Sequence, residues 1–198
     1  LDARLALIAG TSTCHMASSI APCFVPGVWG PFYSAMFEGT FLNEGGQSAA
    51  GALIDHLIDS HAAHVELEVE AGGGPRTLAL NRLLAQMAAE KNVAVPLLAA
   101  DVHVGPDFIG NRSPLADAAM RGSIVGLGLT AGLAELALLY LATTQALAYQ
   151  TRHIVESIES AGHEPIRSIY ACGGLSKNEL YVQSHADALG RPIYLPTE

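Results

Sequence analysis

The sequence predicts an α/β domain in which a mixed sheet is flanked by helices. Three observations predict it. Short apolar runs end in glycine turns, as buried strands do: Leu5 to Ala9 before Gly10, and Ile166 to Ala171 before Cys172-Gly173-Gly174. Between them lie stretches of apolar residues at three-and-four spacing that are too long for strands. The last unit, from Ile166 to Leu195, has the order strand, turn, helix, strand. Nothing in the pattern suggests a closed barrel, an internal repeat or a low-complexity tract.

The elements follow in order. After the strand Leu5 to Ala9, Cys14 to Ser18 returns as its hairpin partner, and Val25 to Tyr33, broken by Pro26, Gly27, Gly30 and Pro31, is a loop carrying Trp29. Ala50, Leu53, Ile54, Leu57 and Ile58 give a helix over Gln47 to Ser60, whose positive end faces Gly45-Gly46. Gly72-Gly73-Gly74-Pro75 marks a surface break, and Thr77 to Lys91 repeats the helical period. Leu97 to Ala100 reads as a strand, Asp101 to Asn111 as a loop, and Ser113-Pro114 as an N-cap with a first-turn proline. A long helix from about Ala131 to Ala161 stops at Gly162 and His163. Strand Ile166 to Ala171, helix Asn178 to Leu189 and strand Pro192 to Leu195 close the chain.

Composition narrows the function classes. At 198 residues, 50% hydrophobic and 15% charged, the chain is one large domain with a real core. A net charge of -9 with ten Lys and Arg leaves no basic stripe for nucleic acid. Cys14, Cys23 and Cys172 form no C-x-x-C pair, which argues for reduced thiols and a cytoplasmic setting. Leu1-Asp2-Ala3-Arg4 has neither a leader pattern nor a Met, so the chain reads as a piece of a longer one. Ile124 to Tyr149 is long and apolar, but Glu135, Thr143, Thr144 and Gln145 with Gly126, Gly128 and Gly132 make it a buried helix and not a membrane span. No membrane partner is expected.

Three glycine-bearing segments carry the candidate chemistry. Backbone N–H groups of Gly10 to Thr13, with the Thr11, Ser12 and Thr13 hydroxyls, can cradle a phosphate, although such a hairpin turn also occurs without a ligand. Behind Gly45-Gly46, Gly51 leaves room for a flat group and Asp55 can accept a hydrogen bond from a ribose or base. A close helix contact with a solvated Asp55 explains the same residues. Gly173 and Gly174, followed by Asn178 as a helix cap, read as a nucleotide seat or as a plain crossover turn. His61 and His64, near His56, Asp55 and Asp59, lack a third ligand at metal spacing, and Asp101, His103 and Asp107 take the same discount, so no metal site is expected. Gly-x-Ser-x-Gly is absent, and hydrolase chemistry has no support.

Taken together, Gly10-Thr11-Ser12-Thr13-Cys14-His15-Met16, Val25 to Pro31, Asn43-Glu44-Gly45-Gly46-Gln47-Ser48, Asp107 to Asp117 and Cys172 to Asn178 resemble the carboxy-terminal domain of the FGGY carbohydrate kinases, on the ribulokinase-like, pentulose kinase branch. The resemblance spans almost the whole chain in order. It implies an actin-like ATPase (ribonuclease H-like) fold in a two-domain kinase that uses ATP and Mg²⁺. Gly10, Thr11 and Ser12 would lie at the γ-phosphate, Gly51 and Asp55 on the nucleotide side, and Gly173, Gly174 and Asn178 at the adenosine.

It further implies that the catalytic Asp lies before Leu1 and that the sugar-binding amino-terminal domain is absent. Residues 1–198 are then a carboxy-terminal domain truncated at both ends and inactive alone. The parent would phosphorylate a ketopentose, D-ribulose first, with L-ribulose, xylulose or another polyol left open. A nucleotide-binding module without kinase activity is the other class, and a homodimer stays open. Ile109 stands where relatives carry His.

Overall fold

A computed structural model describes residues 3 to 197. Leu1 and Asp2, which begin the segment read for a leader, and Glu198, the chain's last residue, lie outside the described residues. The strands are β1 (Arg4–Ala9), β2 (Thr13–Ser19), β3 (Trp29–Tyr33), β4 (Phe41–Gln47), β5 (His103–Gly105), β6 (Ser123–Val125), β7 (Ser168–Cys172) and β8 (Ile193–Tyr194). The helices are α1 (Gly51–Ser60), α2 (His64–Ala71), α3 (Arg76–Lys91), α4 (Leu133–Ser160) and α5 (Glu179–Leu189). Six strands form one mixed sheet in the order β3-β4-β2-β1-β7-β8, and β5 pairs with β6 in a separate ribbon.

Strand β1 is the hinge of this topology, antiparallel to β2 and parallel to β7. Its alternation sends Leu5, Leu7 and Ala9 into the core and leaves Ala6 and Ile8 on the opposite face. Leu5, Leu7 and Ala9 join Leu53 and Ile54 of α1, Leu80 and Leu84 of α3, and Leu136, Leu147 and Ile154 of α4 in one cluster of buried side chains. Emptying one of these sites, as in Leu136→Ala, costs about 2–5 kcal/mol. The expected α/β class, with helices against a mixed sheet, is what forms.

Helix α4 starts where the carboxylate of Glu135 accepts the Gly132 N–H at 2.9 Å and the Thr130 hydroxyl at 2.7 Å. The Thr130 hydrogen bond, foremost, lowers the Glu135 pKa. The stretch read as a buried helix therefore divides, with Ser123–Val125 in β6 and the helix proper beginning at Leu133. Among the described residues, no helix is long and apolar enough to cross a membrane.

Several local expectations are corrected. Residues 41–47 form β4, paired with β2 along its whole length, so the first helix begins at Gly51 and Gly45-Gly46 lie inside a sheet. Trp29–Tyr33 is an edge strand with a bulge, a setting that tolerates Pro31. Of the strand read over Leu97 to Ala100, Leu97 to Ala99 lie in a 3-10 turn, Val95–Ala99, which Ala100 caps and which Gln145 Nε2 holds by donating to the Pro96 carbonyl at 2.8 Å. A short apolar run has too few residues for its period to decide between the two. Ser113-Pro114 starts no helix, because Asn111 Oδ1 accepts the Leu115 N–H and Ser113 donates to the Gly27 carbonyl, which pins the segment as a loop. Residues 64–71, not assigned from sequence, form α2.

Candidate functional site

The carboxyl end of β1 runs into Gly10-Thr11-Ser12, where the Gly10 N–H donates to the Ser12 carbonyl at 2.9 Å. The first turn of α1 docks behind it. Ala50 and Ala52 donate their N–H groups to the Thr11 carbonyl at 2.9 and 3.1 Å, and Gly51 donates to the Gly10 carbonyl at 3.0 Å. Donors that a free helix N-terminus would offer to an anion thus brace the turn. The Thr11 and Ser12 side chains remain exposed.

Two readings of this region are corrected. A Cβ at Gly51 would lie 2.8 Å from the Gly10 carbonyl oxygen, so the space beside Gly51 is filled by the turn and holds no flat group. Thr13 is fully buried, which takes its hydroxyl out of any anion cradle. Gly10, Thr11 and Ser12 keep the geometry of an open turn.

The second turn lies beside the first. In the parallel register Ile8 stands opposite Cys172, so Gly173 follows at the level of Ala9. Gly173 has φ +96°, and the Ala9 carbonyl oxygen occupies the place of its missing Cβ. Only glycine fits there. Gly174 differs: no heavy atom stands within 4 Å of its Cβ direction, so a ligand can approach that backbone.

Asn178 then caps α5, its Oδ1 accepting the Leu180 N–H at 3.1 Å. The same oxygen accepts Asn81 Nδ2 at 3.0 Å, Asn178 Nδ2 donates to the Tyr140 hydroxyl at 2.7 Å, and that hydroxyl donates to Asn81 Oδ1 at 3.0 Å. The ring of contacts joins α3, α4 and α5. Burial raises the Tyr140 pKa to about 12, so the phenol stays a donor. One N–H of Asn178 remains free for a ligand. A cleft of ≈ 360 Å³ opens here, lined by Pro75, Thr77, Asn81, Gly174, Lys177 and Asn178 among others.

The structure brings Gly10, Gly51 and Gly173 together at the end of β1, and Gly174 and Asn178 onto the cleft. Asp55 does not line that cleft. Its exposed carboxylate shares the Arg76 guanidinium with Asp59 and Glu68, at 3.5 Å from Arg76 in its own case. Asp55 reaches the cleft wall only from behind, through Arg76, whose neighbours Pro75 and Thr77 line it. Among the described residues, no group of three or more His, Cys, Asp or Glu could hold a metal ion. Cys14, Cys23 and Cys172 are free thiols.

Sequence reasoning took Gly45-Gly46 for part of a ligand loop, whereas these glycines admit protein groups. A Cβ at Gly45 would lie 2.6 Å from Ile154 of α4, and one at Gly46 would lie 2.8 Å from the Arg112 guanidinium. Arg112 lies 4.4 Å from the centre of the Trp29 ring and pairs with Glu44 at 2.6 Å. Three motifs therefore meet at one guanidinium. Their separation along the chain hides that meeting, and nothing local to Arg112, Trp29 or Glu44 signals it. Ile109 sits exposed on the same loop as Arg112.

The architecture and these turns have relatives. Residues 5 to 198 match the model of the FGGY family of carbohydrate kinases, C-terminal domain. The chain is 56% identical over its full length to an FGGY carbohydrate kinase domain-containing protein of Xenopus laevis, of which it covers 36%. Over 98% of its length it is 41% identical to a D-ribulokinase of Saccharomyces cerevisiae, of which it covers 27%. A xylulose kinase from Rhodospirillum rubrum has the same fold, with a TM-score of 0.71 at 22% identity over 98% of this chain and 35% of that one. The fold is the actin-like one expected. The chain spans about a third of the length of the Xenopus relative.

Proposed function

Because the chain belongs to the FGGY family of carbohydrate kinases, we propose that it is the nucleotide-binding part of an ATP-dependent ketopentose kinase whose first substrate is D-ribulose. The observation that carries the nucleotide half of this reading is the pairing of two turns on neighbouring parallel strands, with an open cleft over Gly174. Ligands of open α/β sheets lie at the carboxyl ends of strands in this way.

The residues present fit ATP. The Gly10, Thr11 and Ser12 backbone, with the two exposed hydroxyls, would hold the γ-phosphate. Gly174 and the free Asn178 N–H would take the adenosine. Gly51 acts from behind by bracing the Gly10 turn, and Asp55 contributes only through Arg76. When bound, the nucleotide supplies the transferable phosphoryl group, and Mg²⁺ enters with its phosphates. This chain's contribution is positioning and donor groups, which is most of what phosphoryl transfer asks of a protein.

The proton acceptor for the sugar hydroxyl belongs to an Asp preceding Leu1. Glu44 is paired with Arg112 and Asp55 with Arg76, so neither is free to serve. The sugar is gripped by a preceding domain, and three free thiols fit a cytoplasmic enzyme. For D-ribulose, the support is the 41% identity to the yeast D-ribulokinase. The likeness to a xylulose kinase at 22% identity speaks to the fold alone.

A coupled assay of the full-length parent with Mg-ATP and D-ribulose, L-ribulose or D-xylulose tests the substrate. D-ribulose should give the highest kcat/KM, and a preference for xylulose would overturn the assignment. A parent that binds Mg-ADP yet phosphorylates none of the three would be a binding module and not a kinase. The 198-residue chain assayed alone should show no turnover.

A further inference from the structure

The hydrogen bonds around Asn178 run in one direction only. The Leu180 backbone N–H can only donate, so the Asn178 side-chain atom that meets it at 3.1 Å is the oxygen, and the amide nitrogen is the atom 2.7 Å from the Tyr140 hydroxyl. That hydroxyl accepts from Asn178 and gives its own proton to Asn81 Oδ1 at 3.0 Å. Asn81 Nδ2 then donates back to Asn178 Oδ1 at 3.0 Å. Turning the Asn81 amide over would set its oxygen against that of Asn178. One main-chain donor therefore fixes the sense of all three side-chain contacts.

The ring leaves an uneven set of free groups. Asn178 Oδ1 accepts two donors, from Leu180 and Asn81, and has no lone pair left. One N–H of Asn178 and one of Asn81 have no protein partner among the described residues. Both residues line the ≈ 360 Å³ cleft with Gly174, and Pro75 and Leu78 give that cleft an apolar wall. Tyr140 is 2% exposed and does not line the cleft, so it reaches a ligand only through the two amides. Burial raises its pKa to about 12, which keeps the hydroxyl proton and the direction of the ring near neutral pH.

We propose that Asn81 and Tyr140 are positioning residues that hold the Asn178 amide as a hydrogen-bond donor toward the nucleobase, so that this seat recognises a base by an acceptor atom and not by its exocyclic amine. The proposal rests on the nucleotide reading above. An unrestrained asparagine presents its donor or its acceptor by turning its amide over. Here that turn would break the Leu180, Asn81 and Tyr140 contacts together. Adenine carries acceptors at its ring nitrogens, which match the two spare N–H groups. Its exocyclic amine is a donor and finds no lone pair on Asn178.

The test is calorimetric titration of the full-length parent with adenosine, with purine riboside, which lacks the exocyclic amine, and with Mg-pyrophosphate, which lacks the base. Wild type should bind purine riboside within about a factor of two of adenosine. Asn178→Asp keeps the oxygen that caps α5 and deletes the donor, so it should weaken adenosine about tenfold. A base held through the Asn178 oxygen would survive that change. Tyr140→Phe should weaken both nucleosides roughly three- to fivefold and leave Mg-pyrophosphate within about a factor of two. Asn81→Ala should give the same split, and stands in should Tyr140→Phe not fold. Three results would each overturn the proposal while the nucleotide reading stands: a loss of about fivefold or more on removing the amine, an Asn178→Asp parent that keeps its adenosine affinity, or ring variants that weaken all three ligands alike or none. A wild-type parent that binds neither adenosine nor Mg-ADP sinks both.

Discussion

Two glycine pairs in this chain look alike in sequence and do opposite work. Gly173-Gly174 ends a strand and faces open space, with nothing within 4 Å of the Cβ direction of Gly174. Gly45-Gly46 lies inside β4, and its missing side chains are replaced by Ile154 from one face and the Arg112 guanidinium from the other. Both pairs mark a close approach to backbone. What approaches is a ligand only where the other side is empty, and that is a property of packing, not of the dipeptide.

The largest expected contrast is in acid. His15 stands opposite Gly45 in the sheet register, and burial, foremost, lowers the pKa of His15 from 6.5 to about 3 and that of His185 from 6.5 to about 4. An unfolded histidine binds its proton near pH 6.5, so between there and the folded values the unfolded chain holds more protons. Stability is therefore full above about pH 6.5 and falls as pH drops toward 4 and then 3, by several kcal/mol at about 1.4 kcal/mol per unit. Thermal unfolding across that range should show a steep fall that His185→Phe makes shallower, and a flat profile would remove the buried side of the comparison.

Next in size is Gly173→Ala. A positive φ and overlap with the Ala9 carbonyl together cost about 3 kcal/mol or more, read as a lower urea midpoint. Gly45→Ala crowds Ile154 and should lose about 1–3 kcal/mol while the folded protein binds Mg-ADP as before. Gly174→Ala is the counterpart and the smallest in stability, within about 0.5 kcal/mol of the parent, yet it should weaken Mg-ADP about tenfold. Should Gly45→Ala impair binding and Gly174→Ala spare it, the assignment of the two pairs would be reversed.

How much was legible follows the same line. The hairpin after Leu5, the helices α3 and α4, the β7-α5-β8 unit and the Asn178 cap came through because each is written in local periodicity or a local capping residue. Strand β4 did not, since Asn43-Glu44-Gly45-Gly46-Gln47 has almost no strand-forming side chains and is held by its neighbours β2 and β3. Among the site residues, Gly10, Gly173 and Gly174 were readable as turns, but the docking of Gly51 on Gly10 and the capture of Asp55 by Arg76 depend on helices crossing in space. The buried polar cluster of His15, Gln47 and Thr151 left no mark at all. Its members are ordinary polar residues until the fold removes water from around them.

Strand β1 gives the molecule a ruler. Because the Gly10 and Gly173 turns leave adjacent strands in register, their separation is one inter-strand spacing, about 4.8 Å, a length set by backbone hydrogen bonds. Substitutions at Thr11, Ser12, Gly174 or Asn178 can change what each turn presents, but they do not move one strand end relative to the other. Selection acting on such a chain is free to vary the chemistry at either turn while the spacing of the two strand ends is inherited unchanged from the sheet.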